Sequence, residues 1–233
     1  MVALNIKTFC HMPFESIWIG GTGLINPCCK AQIPWPNQYQ VPKHSIKDYE
    51  NSKELTQLKS DLLNGVKNIT CEACWKEEDQ KRLSKRVVQQ DWQIWRDKES
   101  IPSTNNYKSL SLQLTNLCNL GCRMCHSYSS SIIENETRDN HDIYLSDKYI
   151  DKQNPYWHHH PKDFAELDAQ RDWWKDKEFI NDIYSILPNI RFMDVSGGEP
   201  TLNKSFLDIL DHCINQDFAK NIHLEITTNG QQI

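Results

Sequence analysis

Three cysteines lie close together in the middle of the chain, at Cys118, Cys122 and Cys125, in the spacing CxxxCxxC. Thiolates are the usual protein ligands of iron–sulfur clusters, and a cubic cluster has four irons to be ligated. Three cysteines with no evident fourth leave one iron open, and an open iron can hold a substrate or a cofactor. A zinc site that includes His126 is the alternative, but the adjacent side chains of Cys125 and His126 rarely both reach one tetrahedral ion.

A second motif, GGEP at residues 197–200, follows an apolar segment at residues 189–195 that is typical of a buried strand. Open sheets and barrels bind ligands at the carboxyl ends of parallel strands. Two glycines let the backbone approach a ligand closely, and Glu199 offers a carboxylate to an ammonium group. An ordinary glycine turn explains this motif when it stands alone. Its pairing with CxxxCxxC favours a ligand site.

Together the two motifs resemble those of the radical S-adenosylmethionine (SAM) superfamily. The resemblance implies that the three cysteines hold a 4Fe–4S cluster and that the methionyl amine and carboxylate of SAM chelate its fourth iron. It also implies a set of cofactor-binding residues, namely Met124, Gly197, Gly198, Glu199 and Asn229. Met124 stands where the family usually has an aromatic residue near the adenine, and a thioether can also pack on a ring. No side chain is identified as a catalytic acid or base.

The second half of the chain predicts an α/β fold. Strand–helix–strand units of this length produce a parallel sheet. The resemblance implies a partial (β/α) barrel, and we expect only its N-terminal part, because the sequence stops at Ile233 after the third strand signal. Apolar periodicity predicts three strands and two helices, at residues 109–114, 190–195 and 222–228 and at residues 179–187 and 203–216.

The first hundred residues contain a second set of cysteines, Cys10, Cys28, Cys71 and Cys74. Two such pairs suit either a closed zinc site or a fully ligated iron–sulfur cluster, and their spacing does not choose between them. The segment resembles the SPASM and twitch modules of radical SAM enzymes, which implies one auxiliary 4Fe–4S cluster on these four residues. We therefore expect a small, irregular, cysteine-rich α+β module at residues 1–104, followed by the partial barrel at residues 105–233.

Several further expectations concern single elements. Capping and apolar patterns predict one helix between Ser45 and Asn64 and a charged helix over residues 76–98. The basic run at residues 81–86 is expected to be a solvated face, with contact to an acidic substrate as the alternative. Cys29 is expected to be a neighbour of the ligands, and Cys213 to be a core residue. The polar stretch at residues 127–163 is expected to be an insertion that faces the substrate, and its three consecutive histidines to form a surface loop, with metal binding as the alternative.

Composition agrees with a chain that buries a core and does not cross a membrane, since no apolar run is long enough. Residues 1–104 carry 14 basic and 12 acidic side chains, and the remainder carry 12 and 19, which gives a net charge of −5. The strongly basic footprint of a nucleic-acid-binding protein is absent. The N-terminus has no secretory leader, so we expect reduced cysteines and a cytoplasmic location.

These observations predict a radical SAM enzyme that cleaves SAM reductively and abstracts a hydrogen atom from its substrate. Relatives with auxiliary clusters commonly modify peptides or protein side chains, so a peptidyl substrate is expected, with flavodoxin or ferredoxin as the electron donor. Modification of a nucleotide or a sugar is the alternative within enzymes. An iron–sulfur protein for binding or electron transfer without SAM chemistry and a structural zinc protein are the alternatives outside that class.

Overall fold

One six-stranded sheet organises the part of the chain that the computed structural model describes, which comprises residues 7–33, 38–90, 106–140, 168 and 172–231. In chain order the strands are β1 (Ser16–Ile19), β2 (Leu24–Asn26), β3 (Tyr39–Gln40), β4 (Ser109–Gln113), β5 (Phe192–Ser196) and β6 (His223–Ile226). Their spatial order is β3-β2-β1-β4-β5-β6. Strands β1, β4, β5 and β6 are parallel, whereas β2 and β3 extend the sheet in antiparallel fashion. The predicted α/β class and the three predicted parallel strands are confirmed.

Eight α-helices accompany the sheet in the described residues. They are α1 (Met12–Glu15), α2 (Ile46–Glu50), α3 (Lys53–Leu63), α4 (Glu72–Asp79), α5 (Lys85–Gln90), α6 (Ser131–Asp139), α7 (Lys177–Ile186) and α8 (Lys204–Asn215). Most begin at a side chain that accepts a hydrogen bond from the first turn, as at Ser52 of α3, Asp176 of α7 and Asn203 of α8. Both helices predicted in the second half of the chain are present.

Two predicted helices in the first half are each interrupted. The helix expected between Ser45 and Asn64 is two helices, because Ser52 leaves the helical conformation and caps α3. The charged helix expected over residues 76–98 was wrong in its start and its continuity. Instead α4 begins at Glu72 and ends at Asp79, and α5 begins only at Lys85. The rest of that prediction lies outside the described residues.

The sheet has one apolar face, and the core lies against it. Leu110, Leu112, Met193 and Val195 are all buried there, at alternate positions of the two central strands. Buried apolar side chains of α3, α7 and α8 belong to the same hydrophobic cluster. Cys213 of α8 is among them, which confirms that it is a core residue.

The first hundred residues contribute to this same sheet and core. Strand β1 pairs in parallel with β4, with Ser16 opposite Ser109, and places Ile17 and Ile19 on the apolar face. The backbone N–H of Ile46 donates to Asp182 of α7 at 3.0 Å, so α2 joins the helices on that face. The expected boundary between residues 104 and 105 falls outside the described residues.

Strand β6 forms one edge of the sheet, and all four of its residues are exposed. None of the helices in the described residues has the length and apolar character needed to cross a lipid bilayer. The three consecutive histidines and the aromatic residues of the expected insertion lie outside the described part of the chain, as does most of that insertion.

Candidate functional site

The CxxxCxxC loop begins five residues after β4, and residues at the start of α6 form hydrogen bonds with its backbone. The Ser131 hydroxyl donates to the carbonyl of Cys118 at 3.2 Å, and the Ser130 hydroxyl donates to the carbonyl of Leu120 at 2.9 Å. The N–H of Cys125 donates to the carbonyl of Cys122 at 2.9 Å, which closes a tight turn. The loop conformation therefore depends on two serine hydroxyls and one backbone N–H, and none of these three hydrogen bonds uses a thiol.

The GGEP segment follows β5 and packs directly on the backbone that leads into this loop. The N–H of Gly198 donates to Thr115 at 2.8 Å, and the N–H of Glu199 donates to Leu117 at 2.7 Å. A Cβ added at Gly198 would come within 2.2 Å of the Leu117 carbonyl oxygen. Gly197 has a φ of +124°, a region that disfavours other residues. The close approach that requires these glycines is thus to the backbone that leads into the CxxxCxxC loop.

Glu199 connects the GGEP segment to the end of β6. Its Oε1 accepts from the hydroxyls of Thr201 and Thr228 at 2.7 and 2.8 Å, and its Oε2 accepts from the N–H of Asn229 at 2.8 Å. The side chain is 1% exposed. Burial opposes ionisation, but the hydrogen bonds from Asn229, Thr201 and Thr228 outweigh it and lower the pKa of Glu199. Glu199 is therefore an ionised carboxylate whose oxygens accept hydrogen bonds from other residues of the protein.

Asn229 reaches from β6 to the first cysteine. Its Nδ2 donates to Oδ1 of Asn119 at 2.8 Å and lies 4.0 Å from Sγ of Cys118. The Asn119 amide in turn donates to Gln231 at 3.1 Å. The segments that follow three neighbouring parallel strands consequently meet at one edge of the sheet. All the residues that the family resemblance assigns to SAM and to its cluster lie on those segments.

The three thiols of the loop interact with one another at the protein surface. Cys122 is exposed, and Cys118 and Cys125 are partly buried. Burial raises the pKa of Cys125, and the charges of Cys122 and Cys118 raise it further. Met124 lies between two of the cysteines and is 91% exposed. One short segment therefore carries the three interacting thiols and an exposed thioether.

The other four predicted ligands also come together, although 64 positions separate the first from the last. Cys10 and Cys74 are buried, and Cys28 and Cys71 are partly buried against the hydrophobic core. Burial raises the pKa of Cys28 to about 11 and that of Cys71 to about 12, and the charge of a neighbouring ligand cysteine contributes to each shift. Burial and the charges of Cys28, Cys71 and Cys74 raise the pKa of Cys10 as well. A bound cation would reverse this preference for the neutral thiol.

The basic run before and within α5 is only partly the solvated face that we expected. Lys81, Arg82 and Leu83 are exposed, but Arg86 is buried and forms an ion pair with Glu78 at 2.5 Å. Lys85 donates from Nζ to Sγ of Cys29 at 3.2 Å. Charge-assisted bonds of this kind fix the start of α5 beside the auxiliary cysteines.

Within the described residues, no group of three or more histidine, cysteine or carboxylate side chains is arranged to hold a single metal ion. A pocket of about 360 Å³ lies beside the segment that leads into the CxxxCxxC loop. Thr115, Leu117, Trp174 and Asn203 are among its lining residues, and none of the predicted ligands or SAM contacts is.

Sequence reasoning missed the residues that join the three segments. Thr228 and Asn119 bind Glu199 and Asn229, and Ser130 and Ser131 support the loop. A signal for the two serines was present, because a serine before an amphipathic helix is a typical N-cap. Thr228 and Asn119 carry no comparable local pattern, since their partners lie 29 and 110 positions away.

No family model matches this chain, and neither the search of curated proteins nor that of solved structures found a match.

Proposed function

We propose that this protein is a radical SAM enzyme. The observation that carries the proposal is the meeting of the CxxxCxxC loop, the GGEP segment and Asn229 at the carboxyl edge of three parallel strands. Ligand sites of α/β proteins lie at that edge, because the loops that follow the strands converge there. Cys118, Cys122 and Cys125 would hold a 4Fe–4S cluster, and the cluster would supply one electron to SAM and release a 5′-deoxyadenosyl radical.

Different residues of the chain would hold the cluster, position the neighbouring segments and cover the cofactor. The thiols of Cys122 and Cys125 interact in a turn closed by a backbone hydrogen bond, so two of the three proposed ligands already lie near one another. Glu199 fixes the distance between GGEP and the end of β6, because its oxygens accept from both segments. Met124 is free to pack over a flat ring such as adenine.

Glu199 remains the candidate for contact with the methionyl amine, and its capacity for this contact is limited. Three donors already bind Oε1, from the N–H and hydroxyl of Thr201 and the hydroxyl of Thr228, whereas one donor binds Oε2. A carboxylate accepts about four hydrogen bonds, roughly two at each oxygen. The amine would therefore bind at Oε2, and Asn229 would be its nearest neighbour.

The auxiliary cysteines would hold a second 4Fe–4S cluster. Cys10, Cys28, Cys71 and Cys74 are near enough for their charges to act on one another, and four thiols leave no iron of a cubane without a protein ligand. Such a closed cluster suits electron relay. We propose a peptide or a protein side chain as the substrate and a flavodoxin or ferredoxin as the electron donor.

The decisive experiment is anaerobic. The full chain is reconstituted with iron and sulfide, reduced with dithionite and incubated with SAM, and 5′-deoxyadenosine is measured by liquid chromatography. We expect product in proportion to the cluster content. Fully loaded protein that yields no product would contradict the proposal and favour an iron–sulfur protein without SAM chemistry. Protein that binds zinc in preference to iron would favour a structural site.

A further inference from the structure

The second face of the sheet is polar, in contrast to the apolar face that packs on the helices. Strand register places Asn26, Trp18, Ser111, Asp194 and Glu225 in one row that crosses five strands. The two neighbouring rows, on the opposite face, contain Ile, Leu, Met and Val, and Tyr39 of β3 ends the row that includes Leu112 and Val195. We refer to the side that carries this row as the polar face.

Oxygen acceptors predominate on the polar face. Asp194 and Glu225 supply carboxylates from adjacent strands. Asn26 is 2% exposed, and its Oδ1 is buried without a hydrogen-bond partner. Leaving a buried acceptor unsatisfied costs about 1–3 kcal/mol, so a native protein normally provides a donor for it. On this face the missing donor can come from a bound ligand.

Helix α5 lies over part of this face. Lys85, its first residue, binds Cys29, and its charge also reaches Asp194. Burial raises the pKa of Asp194, Lys85 opposes that shift, and Glu225 adds to it. Gln89 follows Lys85 by one helical turn, is 6% exposed and has an Oε1 without a partner. The Lys85 ammonium is thus hydrogen-bonded to Cys29 and acts on Asp194 through its charge.

The polar face also lies between the two sets of cysteines. Cys28 follows Asn26 by two residues at one end of the row. Two residues after Asp194 on the same strand, Ser196 accepts a hydrogen bond from Gln113 at 3.3 Å. The CxxxCxxC loop begins five residues after Gln113. A molecule bound here would have the radical source on one side and the auxiliary site on the other.

We propose that the polar face binds the substrate through a cationic side chain, the ammonium of a lysine or the guanidinium of an arginine in a peptide, with Asp194 as its main partner. The inference rests on the proposed function, because it identifies the substrate of that same site. Nε2 of His223 lies 3.4 Å from Glu225, so Asp194 is the carboxylate of the row that forms no ion pair within the described residues, and a cationic donor of several hydrogen bonds would complement it. The acidic excess of residues 105–233 favours the same class of substrate.

The test measures peptide selectivity. Three blocked pentapeptides, with lysine, glutamine or glutamate at the centre of four alanines, are titrated anaerobically into the reconstituted full chain at pH 8 by calorimetry. We expect the lysine peptide to bind at least about tenfold more tightly than the glutamate peptide. Asp194→Asn should bring that ratio close to one, and Asp194→Glu should restore it. Asp211→Asn, on the exposed side of α8, is the matched control and should leave the ratio unchanged.

Lys85→Gln separates binding from structural support. Removal of a neighbouring positive charge should strengthen binding of the lysine peptide by about twofold to fivefold, whereas a merely structural role would weaken it. Absence of binding, a preference for glutamate, or an unchanged ratio in Asp194→Asn would each overturn the inference. Because binding is measured without SAM cleavage, loss of selectivity with intact SAM cleavage refutes this inference alone. Selectivity without SAM cleavage refutes the proposed function and leaves a peptide-binding surface.

Discussion

The two sets of cysteines differ in how the chain brings them together. Cys118, Cys122 and Cys125 come from one short loop at the edge of the sheet, and Cys122 is exposed. The auxiliary cysteines lie up to 64 positions apart in the sequence, and two of them, Cys10 and Cys74, are buried. A local loop can keep one side open to a ligand, whereas the set assembled at the core has two of its four thiols buried. Under the proposed function, this difference predicts a reactive site in the loop and a supporting site at the core.

Substitution of one ligand at each site should separate the two roles most strongly. We expect Cys122→Ala to abolish 5′-deoxyadenosine formation without loss of stability, because the side chain is exposed and contributes little to packing. We expect Cys74→Ala to remove the auxiliary cluster signal from electron paramagnetic resonance spectra while SAM cleavage persists. Product assays and spectra of both variants provide the measurement, and Cys29→Ala is the control. SAM cleavage by Cys122→Ala would refute the assignment.

In the metal-free protein, we expect Cys122 to be alkylated at least about a hundredfold faster than Cys28 and Cys71. Because burial and neighbouring charges raise the pKa of Cys28 to about 11, only on the order of one thiol in a thousand is ionised at pH 8. Iodoacetamide should therefore modify exposed Cys122 first and Cys28 and Cys71 late, as followed by peptide mass spectrometry. Between pH 8 and pH 10 the rate at Cys28 should rise about tenfold per pH unit. Equal rates in the folded protein would contradict the predicted burial.

Substitution of one glycine should disturb the CxxxCxxC loop and leave the auxiliary cysteines unchanged. In Gly198→Ala the new methyl group would collide with the Leu117 carbonyl, a backbone atom that cannot rotate away. We expect a loss of roughly 1–3 kcal/mol in the free energy of unfolding, together with reduced cluster content at the CxxxCxxC loop. Gly230→Ala is the control, because Gly230 has a positive φ but no atom within 4 Å of an added Cβ. Equal cluster content in the two variants would show that contact with the loop is unimportant.

The smallest expected effect concerns Glu199. Glu199→Gln removes the charge that the donors of Thr201, Thr228 and Asn229 stabilise, and should cost about 1 kcal/mol in denaturant unfolding at pH 7. The folded-state pKa lies below the reference value of 4.5, so this stabilisation is present above pH 4.5 and is lost as the pH falls through the folded-state pKa. The difference between wild type and variant should therefore shrink in acid. A constant difference down to pH 3 would contradict this origin.

Local patterns predicted the elements that carry the site. Alternating apolar residues located β4, β5 and β6, and helical periodicity located α7 and α8. The same patterns were misleading where a polar residue inside an apolar repeat turned out to cap a new helix, as Ser52 does. These patterns also gave no indication of β1. This strand has only four residues and forms by pairing with β4. Strand pairing at a distance has no signature within a short window of sequence.

By itself, the sequence determined which residues are available for chemistry. The spacing of Cys118, Cys122 and Cys125 is a local property, because one loop of eight residues carries all three. Only the tertiary structure decided that Glu199 joins two strand ends, that Cys10 and Cys74 become neighbours and that Lys85 lies near Asp194. The reason is that burial and charge proximity depend on contacts between distant segments, and packing of the common core sets those contacts.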